Sequence, residues 1–138
     1  MEKIRLSKNF TLSEMVATSF PAFQKPTTTQ EIVNLAYLCG AVLQPLRNSL
    51  GEPIIITSGF RSPSLNKKVG GLANSRHLSG FAADIRVKSE AHARRMYEIL
   101  KKIPAVDCCL VERKGATRWL HVQTSYNPRG LFNFNYNV

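Results

Sequence analysis

The sequence predicts a small α+β domain, and three observations carry that prediction. Two capping-box motifs in the first third of the chain each precede a segment suited to a helix. Later segments are β-branched or alternate apolar with polar residues, as strands do. The 138 residues contain no internal repeat, linker or low-complexity stretch, and a chain of this size buries roughly two-thirds of its unfolded surface. We therefore expect one domain over residues 1–138.

Two T-x-x-E capping boxes predict the starts of the first two helices. They are formed by Thr11 with Glu14 and by Thr28 with Glu31. The first box predicts a short helix that begins near residue 12. The second precedes a stripe of apolar residues at helical spacing over residues 32–50, which predicts the main core helix, ending at Gly51. Pro45 lacks an amide proton, so it should kink or restart this helix.

The middle of the chain predicts a strand, a helical turn and a surface loop. Residues 53–57 (PIIIT) are apolar and β-branched, and the Ser-Gly pair that follows ends this strand just before Arg61. Residues 66–71 close with two glycines, which is typical of a helical turn. Residues 72–80 have neither a helical nor a strand period, so we expect a loop on the surface.

The second half predicts two more strand regions around a helix. Residues 82–87 alternate well enough for a strand, with Asp84 near its beginning. Ser89 should cap a helix that runs to residue 103 and is stopped by a proline. Residues 108–112 and 119–124 are predicted strands, joined as a hairpin by the glycine-containing RKGATR segment. The tail from residue 127 is rich in Asn and aromatic residues, and no element is assigned to it.

Composition limits the classes of function. The 19 Lys and Arg exceed the 9 Asp and Glu, giving a net charge of +10 that favours anionic partners. The basic residues are scattered, so a nucleic-acid site is not indicated. Three cysteines without a C-x-x-C pair predict neither a disulfide framework nor a thiolate zinc site, only buried or half-buried thiols. No apolar run suits a membrane span or a cleavable secretory signal, so we expect synthesis in the cytoplasm.

Two of the three histidines, His77 and His121, are candidates for chemistry. His77 precedes Asp84 by seven residues, and Gly80 between them allows a sharp bend that would bring the imidazole and the carboxylate together. His121 in the last predicted strand adds a second nitrogen. Two nitrogens and one oxygen form the ligand mixture of catalytic zinc sites, which leave the fourth position to water. His92 is predicted to be a solvated helix residue.

Three segments resemble a known family. Residues 75–84 (SRHLSGFAAD) match the S-x-H-x-x-G-x-A-x-D motif of the zinc D-Ala-D-Ala carboxypeptidases and related phage peptidoglycan peptidases. Residues 58–62 (SGFRS) look like that family's S-G-[FY]-R-S turn, and residues 119–121 (WLH) like its late W-x-H segment. The likeness runs from about residue 6 to residue 132. It implies the α+β fold shared with the hedgehog signalling domain, with a central antiparallel sheet flanked by helices.

The resemblance assigns roles to the site residues. It implies one zinc ion held by His77, Asp84 and His121. Such an ion lowers the pKa of a bound water molecule to about 7 and polarises the scissile carbonyl. Arg61 corresponds to a residue that faces the substrate, where its guanidinium suits a carboxylate or the developing oxyanion. Ser75 would bind the substrate or support a ligand, or simply cap the loop. Trp119 would line the substrate groove or belong to the core.

The general base departs from the family pattern. Many relatives carry Glu three residues before the last histidine, or His two residues before it, and those positions are Arg118 and Trp119 here. If the hairpin turns around Gly115, Glu112 pairs opposite Trp119 and lies on the same face as His121. A shift of one residue would move it to the other face. We predict Glu112 as the base.

The resulting hypothesis is a zinc metallopeptidase that cleaves peptidoglycan stem peptides, at a D-Ala-D-Ala or an L-Ala-D-Glu bond. Without a secretory signal, it fits a phage or prophage lysis enzyme that reaches the wall through a membrane lesion. The alternative is a hedgehog-like module that binds zinc and the wall without catalysis. A small basic nucleic-acid binder ranks last. The sequence predicts no oligomeric state.

Overall fold

The structure is a computed structural model that describes residues 4–138. The strands are β1 (Arg5–Ser7), β2 (Phe10–Thr11), β3 (Ile56–Ser58), β4 (Ala82–Arg86), β5 (Val106–Lys114), β6 (Thr117–Thr124) and β7 (Leu131–Asn137). The α-helices are α1 (Leu12–Val16), α2 (Thr29–Leu38), α3 (Gln44–Leu50), α4 (Pro63–Lys68) and α5 (Glu90–Leu100). Short 3₁₀ turns cover Pro21–Phe23 and Arg76–Ser79, and a π-helical segment covers Cys39–Leu43. None of the helices in this described part is long and apolar enough to cross a bilayer.

The predicted helix starts are confirmed. In both capping boxes the threonine side chain accepts from the backbone of the glutamate, and the glutamate side chain accepts from the backbone of the threonine. The long helix is restarted as predicted: α2 passes into the π-helical segment, and Pro45 stands in the first turn of α3. Pro45 cannot donate a backbone hydrogen bond, and the π-helical segment directly before it is where the regular helical bonding is interrupted. Gly51 ends α3 with φ of 75°.

Several boundaries differ from the prediction. The strand expected at 53–57 is β3 at Ile56–Ser58. The helical turn expected at 66–71 is α4 at Pro63–Lys68, because Ser62 caps it and Pro63 fits its first position. Helix α5 ends at Leu100, three residues earlier than expected. The Asn-rich tail forms strand β7, to which the sequence assigned no element.

The α+β class is confirmed by a five-stranded sheet in the order β3-β4-β6-β5-β7. The first four strands are antiparallel to their neighbours, as expected. Strand β7 is the exception, because it pairs in parallel with β5. A second, two-stranded sheet of β1 and β2 lies outside this one.

The sheet has one apolar face and one polar face. The apolar face contributes to the core through Ala83, Ile85, Cys109, Val111, Leu120 and Val122, together with α2, α3 and α5. Side chains alternate between the two faces of a strand, so Asp84, Glu112, His121 and Gln123 lie on the opposite face. All three cysteines are free and at least half-buried, as predicted, and burial raises the pKa of Cys39 to about 12.

Candidate metal centre

Two imidazoles and a carboxylate meet on the polar face of the sheet. His77 Nε2 lies 3.3 Å from Asp84 Oδ1, and His121 Nδ1 lies 3.0 Å from the same oxygen. One potential ligand atom from each residue lies within 4.8 Å of the other two. His77 is 2% exposed and Asp84 is 7% exposed, whereas the His121 side chain retains 13% exposure. The sequence-predicted triad therefore converges in a largely buried position.

Strand register brings two of these residues together. Asp84 on β4 is paired directly with His121 on β6, so the two side chains project side by side from the same face. Burial by itself would raise the pKa of Asp84. The attraction of His77, the hydrogen bonds from both imidazoles and the charge of His121 outweigh it and hold the pKa of Asp84 below its usual range. Asp84 is thus an ionised acceptor at neutral pH.

The turn that carries His77 was expected to be a surface loop, and that expectation is wrong for its second half. Residues Arg76–Ser79 form a 3₁₀ turn in which Ser75 Oγ accepts from the backbone amide of His77 at 3.2 Å. Gly80 follows with φ of 84°, the bend that was predicted to bring His77 towards Asp84. The turn is held inward because the amide of Arg61 donates to the carbonyl of His77 at 3.0 Å.

The orientation of His77 is set by a backbone carbonyl. Its Nδ1 lies 2.7 Å from the oxygen of Gly59, and only an N–H can bond to a carbonyl. Nδ1 therefore carries a proton, and in the neutral ring, the form that binds a metal, the lone pair is on Nε2, which faces Asp84. Position 59 requires glycine, because a β-carbon there would collide with the backbone oxygen of Met15. The same approach lets the amide of Phe60 donate to that oxygen at 2.8 Å.

Arg61 contacts the cluster directly. Its Nη2 lies 3.2 Å from Asp84 Oδ2, on the carboxylate oxygen opposite the one that faces the histidines. Its Nε donates to Ser58 at 3.0 Å and its Nη1 to Asn66 at 3.2 Å. These bonds use three of the five N–H donors of the guanidinium. The side chain also forms part of the wall of a cleft of about 160 Å³ that includes Phe20 and Val69.

Glu112 lies beside the cluster, on the same face. The hairpin turns at Gly115, with φ of 62°, and pairs Glu112 with Trp119, which is the predicted register. Its Oε1 is 3.7 Å from His121 Nδ1. Burial raises the pKa of Glu112, while the nearby His121 partly opposes that rise. A carboxylate with this environment can accept and return a proton close to the cluster.

The other two predicted site residues lie near the cluster with different neighbours. Ser75 caps the turn that carries His77, which is one of the two roles considered for it. Trp119 is half-buried on the polar face, where it is paired across the two strands with Glu112. The prediction that His92 is solvated is wrong: it belongs to the buried side of α5, is 6% exposed, and its Nε2 lies 3.4 Å from Glu52.

The donor set suits a divalent metal ion. Two neutral imidazole nitrogens and one ionised carboxylate are the three-ligand combination that catalytic zinc sites use, with a further position for water or substrate. His77 is already held by a second hydrogen bond of the kind that orients metal-binding imidazoles. The side chains therefore fit a metal, with His77, Asp84 and His121 as the residues that could hold it.

Sequence reasoning missed a polar chain behind His121. Gln123 Oε1 lies 2.9 Å from His121 Nε2, and Gln123 Nε2 donates to Asp107 at 2.8 Å. Arg129 in turn holds Asp107. One signal was available: Gln123 is two residues after His121 in a strand and so shares its face. Nothing in the local pattern pointed to Asp107 or Arg129.

Comparison with known proteins agrees with this geometry. The sequence profile of the family described as Peptidase M15 matches residues 8–123. A zinc D-Ala-D-Ala carboxypeptidase from Streptomyces albus G is 47% identical over 49 residues, which are 35% of this chain. The matched part is 19% of that protein, so the likeness spans about a fifth of the relative's length. Because the profile match covers well over half of the sequence, the chain belongs to the peptidase M15 family.

Proposed function

We propose that the protein is a zinc metallopeptidase that hydrolyses a peptide bond in peptidoglycan stem peptides. The observation that carries the proposal is the convergence of His77, Asp84 and His121, with the carboxylate of Glu112 beside them. A bound zinc ion supplies an activated water molecule and polarises the scissile carbonyl. The three side chains hold that ion on a rigid sheet and a capped turn, which keeps their geometry fixed.

Glu112 is proposed as the general base. It lies within reach of the space in front of His121, and burial raises its pKa, so it is a better proton acceptor than an exposed glutamate. The same carboxyl would return the proton to the leaving amine. With Glu112 as the base, neither Glu at position 118 nor His at position 119 is needed, and this chain has Arg118 and Trp119 there.

Arg61 is proposed to contact the substrate while it holds Asp84. Two of its five N–H donors are not used by its bonds to Ser58, Asn66 and Asp84. Such N–H donors suit a peptide carboxylate or the oxygen on which charge develops. Trp119 is proposed to line the substrate path beside Glu112, with which it is paired, and Ser75 to act by fixing the turn of His77.

The substrate class is proposed from the relative's printed activity and from charge. That relative is described as a zinc D-Ala-D-Ala carboxypeptidase, so a bond that involves a D-amino acid is proposed here, D-Ala-D-Ala or L-Ala-D-Glu. The net charge of +10 raises the local concentration of an anionic wall polymer. We include in the proposal that the protein acts on the wall as a phage or prophage lysis enzyme.

Digestion of purified cell walls tests the proposal. The zinc-loaded protein should release stem-peptide fragments or free D-alanine, identified by mass spectrometry, and a chelator should stop the release. Glu112→Ala should retain zinc and lose turnover. A wild-type protein that binds zinc and walls but releases nothing would favour the hedgehog-like binding module. Salt-sensitive DNA binding that survives a chelator would favour the nucleic-acid binder.

A further inference from the structure

His121 belongs to the cluster formed with His77 and Asp84, and it also begins a chain of hydrogen-bonded polar groups that leads away from that cluster. Its Nε2 lies 2.9 Å from Gln123 Oε1, and Gln123 Nε2 donates to Asp107 Oδ2 at 2.8 Å. Gln123 is 8% exposed and Asp107 only 1% exposed. Arg129 binds Asp107 three times, through Nη2 at 2.7 Å and through Nε and its backbone amide at 3.0 Å each.

The hydrogen-bond directions along this chain are determined at its far end. The bonds from Arg129 hold the pKa of Asp107 below its usual range, so its carboxylate is ionised and can only accept. Gln123 must therefore present its NH₂ group to Asp107 and its carbonyl oxygen to His121. A carbonyl oxygen only accepts, so His121 must carry its proton on Nε2. In the neutral ring, the form that binds a metal, the lone pair is then on Nδ1, the nitrogen that lies 3.0 Å from Asp84.

A β-bulge explains how Asp107 reaches Gln123. In β5, Val106 pairs with Thr124 and Cys108 pairs with Gln123, so Asp107 is an extra residue between two paired ones. In a regular strand its side chain would point to the face opposite that of Cys108. A bulge redirects the inserted residue, and here it directs the carboxylate to the amide of Gln123.

We propose that Gln123 and Asp107 are positioning residues that hold His121 with its proton on Nε2 and its Nδ1 lone pair directed at the metal. This inference rests on the proposed function, because it takes the cluster to hold zinc. Partners of this kind fix the tautomer and the ring orientation of metal-binding histidines. Arg129 completes the chain by keeping Asp107 ionised and in place.

The test is a comparison of two buried glutamines. Gln123→Met keeps the length of the side chain and removes the acceptor that faces His121. Gln44→Met is the matched control, because Gln44 is also buried and its amide bonds to Ser7, Asn9 and Asn48, away from the cluster. Zinc affinity is measured by competition with a chromophoric chelator. Thermal unfolding of the metal-free proteins measures the structural cost of each change.

We expect Gln123→Met to bind zinc about 10–100-fold more weakly than the wild type. Gln44→Met should lower the unfolding temperature and leave zinc affinity unchanged. Nitrogen-15 NMR of the neutral, metal-free imidazole should show the Nε2–H form of His121 in the wild type and a mixture of the two tautomers in Gln123→Met. Asp107→Asn introduces an amide that can also donate, so the side chain of Gln123 is free to rotate. This variant should weaken zinc binding less than Gln123→Met does. It provides a second measurement if Gln123→Met does not fold.

Three results would overturn the inference. One is a zinc affinity in Gln123→Met and Asp107→Asn equal to that of the wild type. Another is an equal loss in Gln44→Met and Gln123→Met, which would show a structural effect. In both of these the wild type still binds zinc, so the proposed function stands. The third is a wild-type protein that binds no zinc, which would overturn the proposed function as well.

Discussion

The two faces of the central sheet are built from the same strands and differ in what they contribute. Along β4 and β6, apolar residues such as Ile85 and Leu120 face the helices, while their neighbours Asp84 and His121 project from the opposite face, where they meet His77. The apolar face supplies the free energy of folding. The apolar face also positions the polar face, because Asp84 and His121 project from strands whose neighbouring residues are packed in the core. Mutations on the apolar face should therefore change the free energy of unfolding, and mutations on the polar face should change metal binding and hydrolysis.

The largest effect is expected from the polar face, in Asp84→Ala. Loss of the only carboxylate among the three ligands should weaken zinc binding by more than about 100-fold, since even the loss of a supporting partner costs about 10–100-fold. Wall hydrolysis should fall by more than about 10⁴-fold, because without the metal the pKa of the attacking water returns to its much higher bulk value. Chelator competition and fragment release measure the two losses. Glu98→Ala, an exposed carboxylate on α5, should change neither.

Removal of the base alone should separate hydrolysis from metal binding. Glu112→Gln keeps the size of the side chain and removes its ability to take a proton, so hydrolysis should fall about 10²- to 10⁴-fold. Zinc affinity should stay at the wild-type value, since Glu112 is outside the three-ligand cluster. Steady-state release of wall fragments by the zinc-loaded variant checks this. Full activity would mean that another group acts as the base.

A change on the apolar face should lower stability without affecting zinc affinity. Leu120 is fully buried next to His121 in the chain, so Leu120→Ala leaves a cavity and should lower the free energy of unfolding by about 2–5 kcal/mol. Zinc affinity of the folded protein should be unchanged. Urea unfolding of the metal-free protein and zinc competition give the two values. A strong loss of zinc affinity would show that the two faces are not independent.

The smallest effect is a change in how stability depends on pH. The pKa of Asp107 is lower in the folded protein than in the unfolded chain, so its contribution to stability is complete above the unfolded value of about 3.9 and is lost as pH falls towards the folded value. The stability difference between wild type and Asp107→Asn should therefore be constant near neutrality and shrink below about pH 4. Urea unfolding over a pH series checks this. A difference that persists in acid would contradict it.

The positions of several polar-face residues could be predicted from the sequence, because local turns and strand periodicity determine them. The turn at Gly115 sets the hairpin register, and the register places Glu112 on the face of His121. Gly80 provides the bend between His77 and Asp84. Both predictions follow from strand periodicity and from a glycine with positive φ, which are local properties. The helix caps were predictable for the same reason.

The remainder depends on contacts between distant parts of the chain. Strand β7 alternates aromatic residues with Asn, but Asn is a poor strand former, and the parallel pairing requires the chain to cross from β6 to the opposite side of β5. The burial of His77 depends on bonds to Gly59 and Arg61, which precede it by more than 15 residues. The pair of Asp107 and Arg129 requires both the bulge in β5 and the loop before β7. No sequence period encodes such pairings.

The most direct test of the account is to count the metal and identify its ligands. Zinc titration followed by X-ray absorption spectroscopy of the loaded protein should give one ion per chain. It should show two imidazole nitrogens at about 2.0–2.1 Å and oxygen ligands from one carboxylate and solvent. The spectra of His77→Ala and of His121→Ala should each show one imidazole ligand fewer, which would assign the two imidazole ligands to these residues. No bound ion, or an ion enclosed by four protein ligands, would contradict the claim that this cluster is an open zinc site.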